Sequence, residues 1–162
     1  MAPTPRRIID YRASLLDFFE EEVVGEAFFN TLAERFGTSD QRHKLSLLAQ
    51  MERRVVETMR PLIEKYDLRP RADEPLHGIG RKEAERYISA TWHEFMARIV
   101  AEFPVFLEEF SALAAVAPVE DLSSLQAFDR HEIATIEFAK REIAGDPVSA
   151  ATLVAFLEGS PT

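Results

Sequence analysis

The chain has 162 residues, nearly half of them apolar, with no cysteine and a formal net charge of −9. That length suits one domain around one core, and the missing cysteine excludes disulfides, thiolate nucleophiles, Fe–S clusters and cysteine-ligated zinc. The acidic balance opposes docking on phosphate backbones or anionic bilayers, and no apolar run approaches the ~18 residues of a membrane span, so no nucleic-acid and no membrane partner is expected.

The first residues, Met-Ala-Pro-Thr-Pro-Arg-Arg, lead into a stretch interrupted by Asp10, Arg12 and Asp17. No apolar signal region forms there, so a cytoplasmic location is expected. Apolar residues then recur at helical spacing over 9–36, and Gly37 suits the position after a helix C-terminus. Thr38, Ser39 and Asp40 offer N-caps for a second helix over 39–67, which Pro61 is expected to kink or break. Residues 68–80 read as a linker, punctuated by Pro70, Pro75, Gly78 and Gly80. A third helix is predicted from Arg81 through Phe103, bent at Pro104 and continuing over 105–116. Glu120 and Asp121 suit the start of a fourth helix over 119–145. Asp146 and Pro147 read as N-cap and first residue of a short final helix over 148–157. The expectation is all-α: one domain over 1–162, an antiparallel four-helix bundle with a short C-terminal helix and a linker at 68–80 between two helical hairpins.

Tracing each apolar stripe by steps of three and four isolates the chemistry. The first stripe is Tyr11, Leu15, Phe18, Glu22, Gly25, Phe29, Leu32 and Phe36, with one acid at its middle. The second is Gln41, Leu45, Leu48, Glu52, Val55, Met59, Leu62 and Tyr66, again with a single central acid. In the fourth helix Asp129 and Glu132 interrupt Leu122, Leu125, Ile136, Ala139 and Ile143. The third helix presents Ala84, Ile88, Trp92, Phe95, Ile99, Phe103 and Phe106, with Glu102 at one edge. At about 1.5 Å rise per residue, Glu22, Glu52 and Glu132 come to one level, with Glu102 near the same layer. Carboxylates converging in a dry core repel, and a hard cation relieves that repulsion. Glu22, Glu52, Glu132, Glu102 and Asp129 are therefore the candidate metal ligands, with Glu26, one turn beyond Glu22, as a substitute. Pairing of these acids with Arg53, Arg54 or Arg98 is the competing reading. His43 lies more than two turns from Glu52, His77 falls in the linker, and His93 and His131 are placed off the core faces; His131, about 100° round the helix from Glu132, reads as a surface residue.

The run Glu22-x-x-Gly25-x-x-x-Phe29-x-x-Leu32-Ala33, with Glu52 thirty residues on and Asp129-Arg130-His131-Glu132 in the fourth helix, resembles the ferritin-like superfamily in its rubrerythrin-like branch. The resemblance covers most of residues 9–145. It implies iron or manganese held between the helices and oxygen- or peroxide-linked oxidation. The family's second and fourth helices carry Glu-x-x-His, whereas here Val55 and Thr135 stand three residues after Glu52 and Glu132. Three expectations follow. The first is a metalloprotein of oxidoreductase or metal-handling type, with a second copy as its expected partner in a homo-oligomer (dimer). The second is a metal-free bundle that oligomerises or binds a partner or a small apolar ligand. The third is a bundle whose Phe-lined interior holds an acyl chain.

Overall fold

The computed structural model describes residues 3–159, so residues 1–2 and 160–162 of the predicted domain lie outside it. Each of the first two helices starts at a side-chain cap. Asp10 accepts from the Ala13 N–H at 2.8 Å to open α1 (Tyr11–Arg35). Thr38 and Gln41 close a reciprocal capping box that opens α2 (Ser39–Lys65). Three residues separate the two helices, so they pack as antiparallel neighbours. α2 runs unbroken through Pro61, against the expected kink or break. Pro61 faces outward while Leu62 and Ile63 are buried, so core packing holds the turn that the proline weakens.

The expected linker and the expected start at Arg81 are both corrected. Residues Asp73–Ala84 form α3, followed by a 3-10 turn at Glu85–Tyr87. Pro75 lies in the first turn, where its missing N–H costs nothing. Gly80 is a contact residue: a Cβ there would lie 2.9 Å from Ala27 Cβ and Phe28 N, and closer still to the Val24 carbonyl. α3 thus rests on the backbone of α1. The next helix, α4 (Trp92–Glu102), opens at a second capping box, Thr91 with Glu94. It breaks at Phe103 as expected, and α5 (Pro104–Val116) restarts with proline as its first residue. Ile88, expected on a core face, falls in the turn before α4 and is 41% exposed.

A 3-10 turn at Val119–Asp121 leads into α6 (Leu122–Ile143), whose last residue Ile143 is likewise exposed. Gly145, at φ +71°, reverses the chain, a conformation that favours glycine. Asp146 accepts from the Val148 N–H at 2.9 Å, but it caps only a turn, and α7 (Ala151–Leu157) begins later than expected.

Among the described residues the chain is all-helical, and no helix is long and apolar enough to cross a membrane. α1 packs on α2 and α3, while α6 packs on α2, α4, α5 and α7, and α1 meets α5 only briefly. Phe18, Phe29, Leu48, Met59, Phe95, Ile99, Leu125 and Ile136, the expected stripe centres, are all buried. The apolar core forms two clusters. One holds Phe29, Leu48, Phe95 and Phe138, the other Phe18, Met59, Phe110 and Phe128. A polar clasp closes each end. Buried Asp121 accepts from Tyr11 at 2.7 Å, Tyr66 at 2.5 Å and Lys65 at 2.6 Å. At the other end Glu142 pairs with Lys44 and accepts from Ser149 at 3.0 Å.

The two glycines of α3 should respond to alanine with opposite signs. At Gly80 the added methyl meets α1 backbone and should cost about 1–3 kcal/mol. At Gly78 the nearest atom is the Arg81 guanidinium at 3.8 Å, so alanine should gain up to about 1 kcal/mol of helix propensity. Urea unfolding of both variants checks this. Phe95→Ala, in the centre of its cluster, should cost about 3–5 kcal/mol by the same measurement.

Candidate metal centre

Between the two apolar clusters lies one polar level. Glu22 from α1, Glu52 from α2, and His131 and Glu132 from α6 are all buried there. His131 Nε2 is 3.1 Å from Glu22 Oε2, 3.7 Å from Glu52 Oε2 and 3.8 Å from Glu132 Oε2. One ligand atom each from Glu22, Glu52 and His131 fits within a mutual separation of 4.8 Å. Glu132 lies on the same level beside His131 but outside that group of three.

The placement of His131 corrects the sequence reading: it is 1% exposed, not a surface residue. Its Nδ1 lies 3.1 Å from the Ala127 carbonyl. A carbonyl only accepts, so Nδ1 carries a proton, and Nε2 is the ring nitrogen that faces the carboxyl groups. Phe110 and Phe156 flank the ring at centroid distances of 6.1 and 6.4 Å. A signal for this existed. Phe128, His131, Thr135 and Phe138 form a second stripe at helical spacing, and all four are buried.

The other candidates stand apart. Glu102 is half-buried and lines the cleft described below, without joining the cluster. Asp129 is half-buried outside it, and burial raises its pKa. Glu26 faces Arg53 at 3.4 Å. Among the described residues no arginine or lysine pairs with Glu22, Glu52 or Glu132; Arg53 serves Glu26 and Glu57 instead. His43 and His93 are exposed and His77 is half-buried in α3, clear of the cluster.

Burial dominates the electrostatics. It pushes Glu22 up to about 8, opposed by a hydrogen bond with Glu52 and reinforced by the charge of Glu132. It pushes Glu132 up to about 8 as well, opposed by His131 and reinforced by Glu52. Glu52 is raised well above the carboxylate range, by burial first and then by the charge of Glu22. Glu22 Oε2 and Glu132 Oε1 are buried with no hydrogen-bond partner. Such orphaned acceptors are costly. Two carboxylates and one imidazole form a donor set suited to iron, manganese or zinc, with the Glu132 carboxyl beside it. The residues fit a metal ion on these grounds.

Gly25 makes room for the cluster: a Cβ there would lie 2.8 Å from Glu52 Oε2. On one side the cluster opens to a cleft of about 600 Å³ between α1, α3 and the α4–α5 break. Comparison with protein-family models, with curated proteins and with solved structures finds no match to this chain.

The raised carboxyls tie stability to pH. Without a cation the native state holds protons that the unfolded chain, with carboxyls near 4.5, releases. The native state binds more protons, so its stability falls as pH rises from about 4.5 to about 8. Thermal melts in chelator should show this decline, and Glu132→Gln should flatten it. An equal slope in wild type and variant would remove the linkage argument.

Proposed function

We propose that the chain is a ferritin-like metalloprotein. In this reading α1, α2, α6 and the α4–α5 pair form an antiparallel four-helix bundle, and Glu22, Glu52, Glu132 and His131 hold one iron or manganese ion at its mid-level. The observation that carries the reading is His131. Its Nδ1 is held by a backbone carbonyl while its Nε2 faces three buried carboxyl groups, the arrangement that orients a metal-ligating imidazole. The family-like spacing of Glu22, Gly25, Phe29 and Glu52 supports it from the sequence side.

A bound iron or manganese supplies a Lewis-acidic, redox-active centre. The chain's own groups do the rest. Glu22, Glu52 and Glu132 provide negative charge, the Ala127 carbonyl fixes the imidazole, and the two Phe-rich clusters keep water from the sides of the site. An oxidoreductase or metal-handling role is what the family resemblance implies, and the open cleft would give access to the site.

A metal-free helical module is the second reading. Glu22 and Glu52 place carboxyl oxygens within 4.8 Å of each other, and a proton held between them lowers the repulsion that a cation would otherwise relieve.

Metal analysis of protein expressed with iron and manganese available separates the two. About one ion per chain is expected, with occupancy falling at least about tenfold in His131→Ala and Glu52→Gln. Absence of metal above background after reloading would sink the metalloprotein reading. Melting temperature gives an independent sign. In chelator Glu52→Gln should raise it by removing a buried repelling acid, and in excess manganese the same change should lower it, because ligand loss removes linkage stabilisation.

A further inference from the structure

The polar level is supplied by α1, α2 and α6, while the α4–α5 side of it is open. Glu102, expected on that side, reaches the cleft wall and no further. Aromatic rings stand there instead. Phe103, Phe106 and Phe110 line the cleft opposite Phe28 and Phe29 of α1, and Ile79 of α3 sits on the same cleft, 37% exposed. The floor is formed by Glu22, Glu52, His131 and Glu132.

We propose that this cleft binds an uncharged small organic molecule, with its apolar body between the phenylalanines and its inner end against the Glu22–His131 cluster. The proposal rests on the metal reading only for what the ligand meets at the floor. The volume lies within the ~300–1,000 Å³ of small-molecule pockets. The walls give such a ligand desolvation energy without directional demands, and offset or edge-on ring contacts add specificity for a flat body.

Charge on the cleft narrows the class. Glu20, Glu21 and Glu109 line it, and the two guanidiniums among them are already engaged. Arg71 binds Glu20 through its backbone N–H and Nε, both at 2.8 Å. Arg6 spans Glu21 at 2.5 Å and Glu109 at 2.7 Å, and lies over the Phe18 ring at 4.6 Å. Arg86 is exposed at the rim, away from the carboxylate floor. In the metal-free chain an anion entering fully would meet Glu22, Glu52 and Glu132, with which no lysine or arginine is paired among the described residues. An uncharged molecule pays neither that repulsion nor the desolvation of an ionic head.

The test uses the full chain and N-phenyl-1-naphthylamine, an uncharged aromatic fluorophore. Saturable binding of one probe per chain is expected, displaced by decanol and much less by decanoate. Ile79→Trp should fill the cleft and weaken probe binding by about tenfold or more, whereas Ile133→Trp, on an exposed part of α6 outside the cleft, should leave it unchanged. Circular dichroism and melting temperature confirm that both variants fold. No saturable binding, equal affinity in both variants, or stronger displacement by decanoate would overturn the proposal. Manganese content measured on the same samples keeps the two readings apart. Bound manganese without probe binding counts against this inference alone, and probe binding without manganese counts against the metal reading alone.

Discussion

Three carboxyl groups buried at one level of a dry helical core impose the condition that the surrounding structure meets. An isolated buried carboxylate is far too costly to persist, so each must be protonated, paired or bound to a cation. Here one imidazole nitrogen faces all three acids, and no lysine or arginine among the described residues pairs with them. That leaves negative charge or bound protons in excess, and it leaves two oxygens without partners. Gly25 belongs to the same condition, because any side chain there would push into the Glu52 carboxylate. The apolar clusters above and below the level supply the packing that holds four ionisable groups together.

The polar clasps at the two ends contrast with the central level. Asp121 is buried too, and burial works to raise its pKa, yet donors from Lys65, Tyr66 and Tyr11 hold it below the ordinary value. Glu142 is likewise supplied with Lys44 and Ser149. Acids that only join elements are given enough donors. The acids of the central level are not, and this difference sets them apart from the structural polar contacts at the two ends.

The asymmetry of the site comes from backbone breaks. α4 ends and α5 begins at Phe103 and Pro104, and α3 lies against α1 where Gly80 permits close approach. α1 and α5 therefore share little surface, and the space between them is lined by phenylalanine and opens on the carboxylates. A continuous helix in place of α4 and α5 would bring its own side chains toward that side of the cluster.

Helical periodicity was enough to place the long helices, their stripe centres and the three mid-stripe acids, because burying one face of a helix writes a period of three to four into the residues. Glu22 and Glu52 were legible as lone acids on apolar stripes, and the break at Pro104 followed from proline's missing N–H. The level at which they meet could be counted from rise per residue. What neighbours each face was not legible. Glu132 lay on the main stripe of α6, but His131 lies about 100° away, and its burial depends on α5 and α7 supplying Phe110 and Phe156. The α3 segment failed for a related reason: glycine and proline were read as breakers, while Pro75 occupies a tolerant first turn and Gly80 is required by the backbone of α1. Local sequence reports the demands of a residue's own helix. Whether a second face is covered, or a glycine is a contact, is decided by helices distant in the chain, and only tertiary packing brings those together.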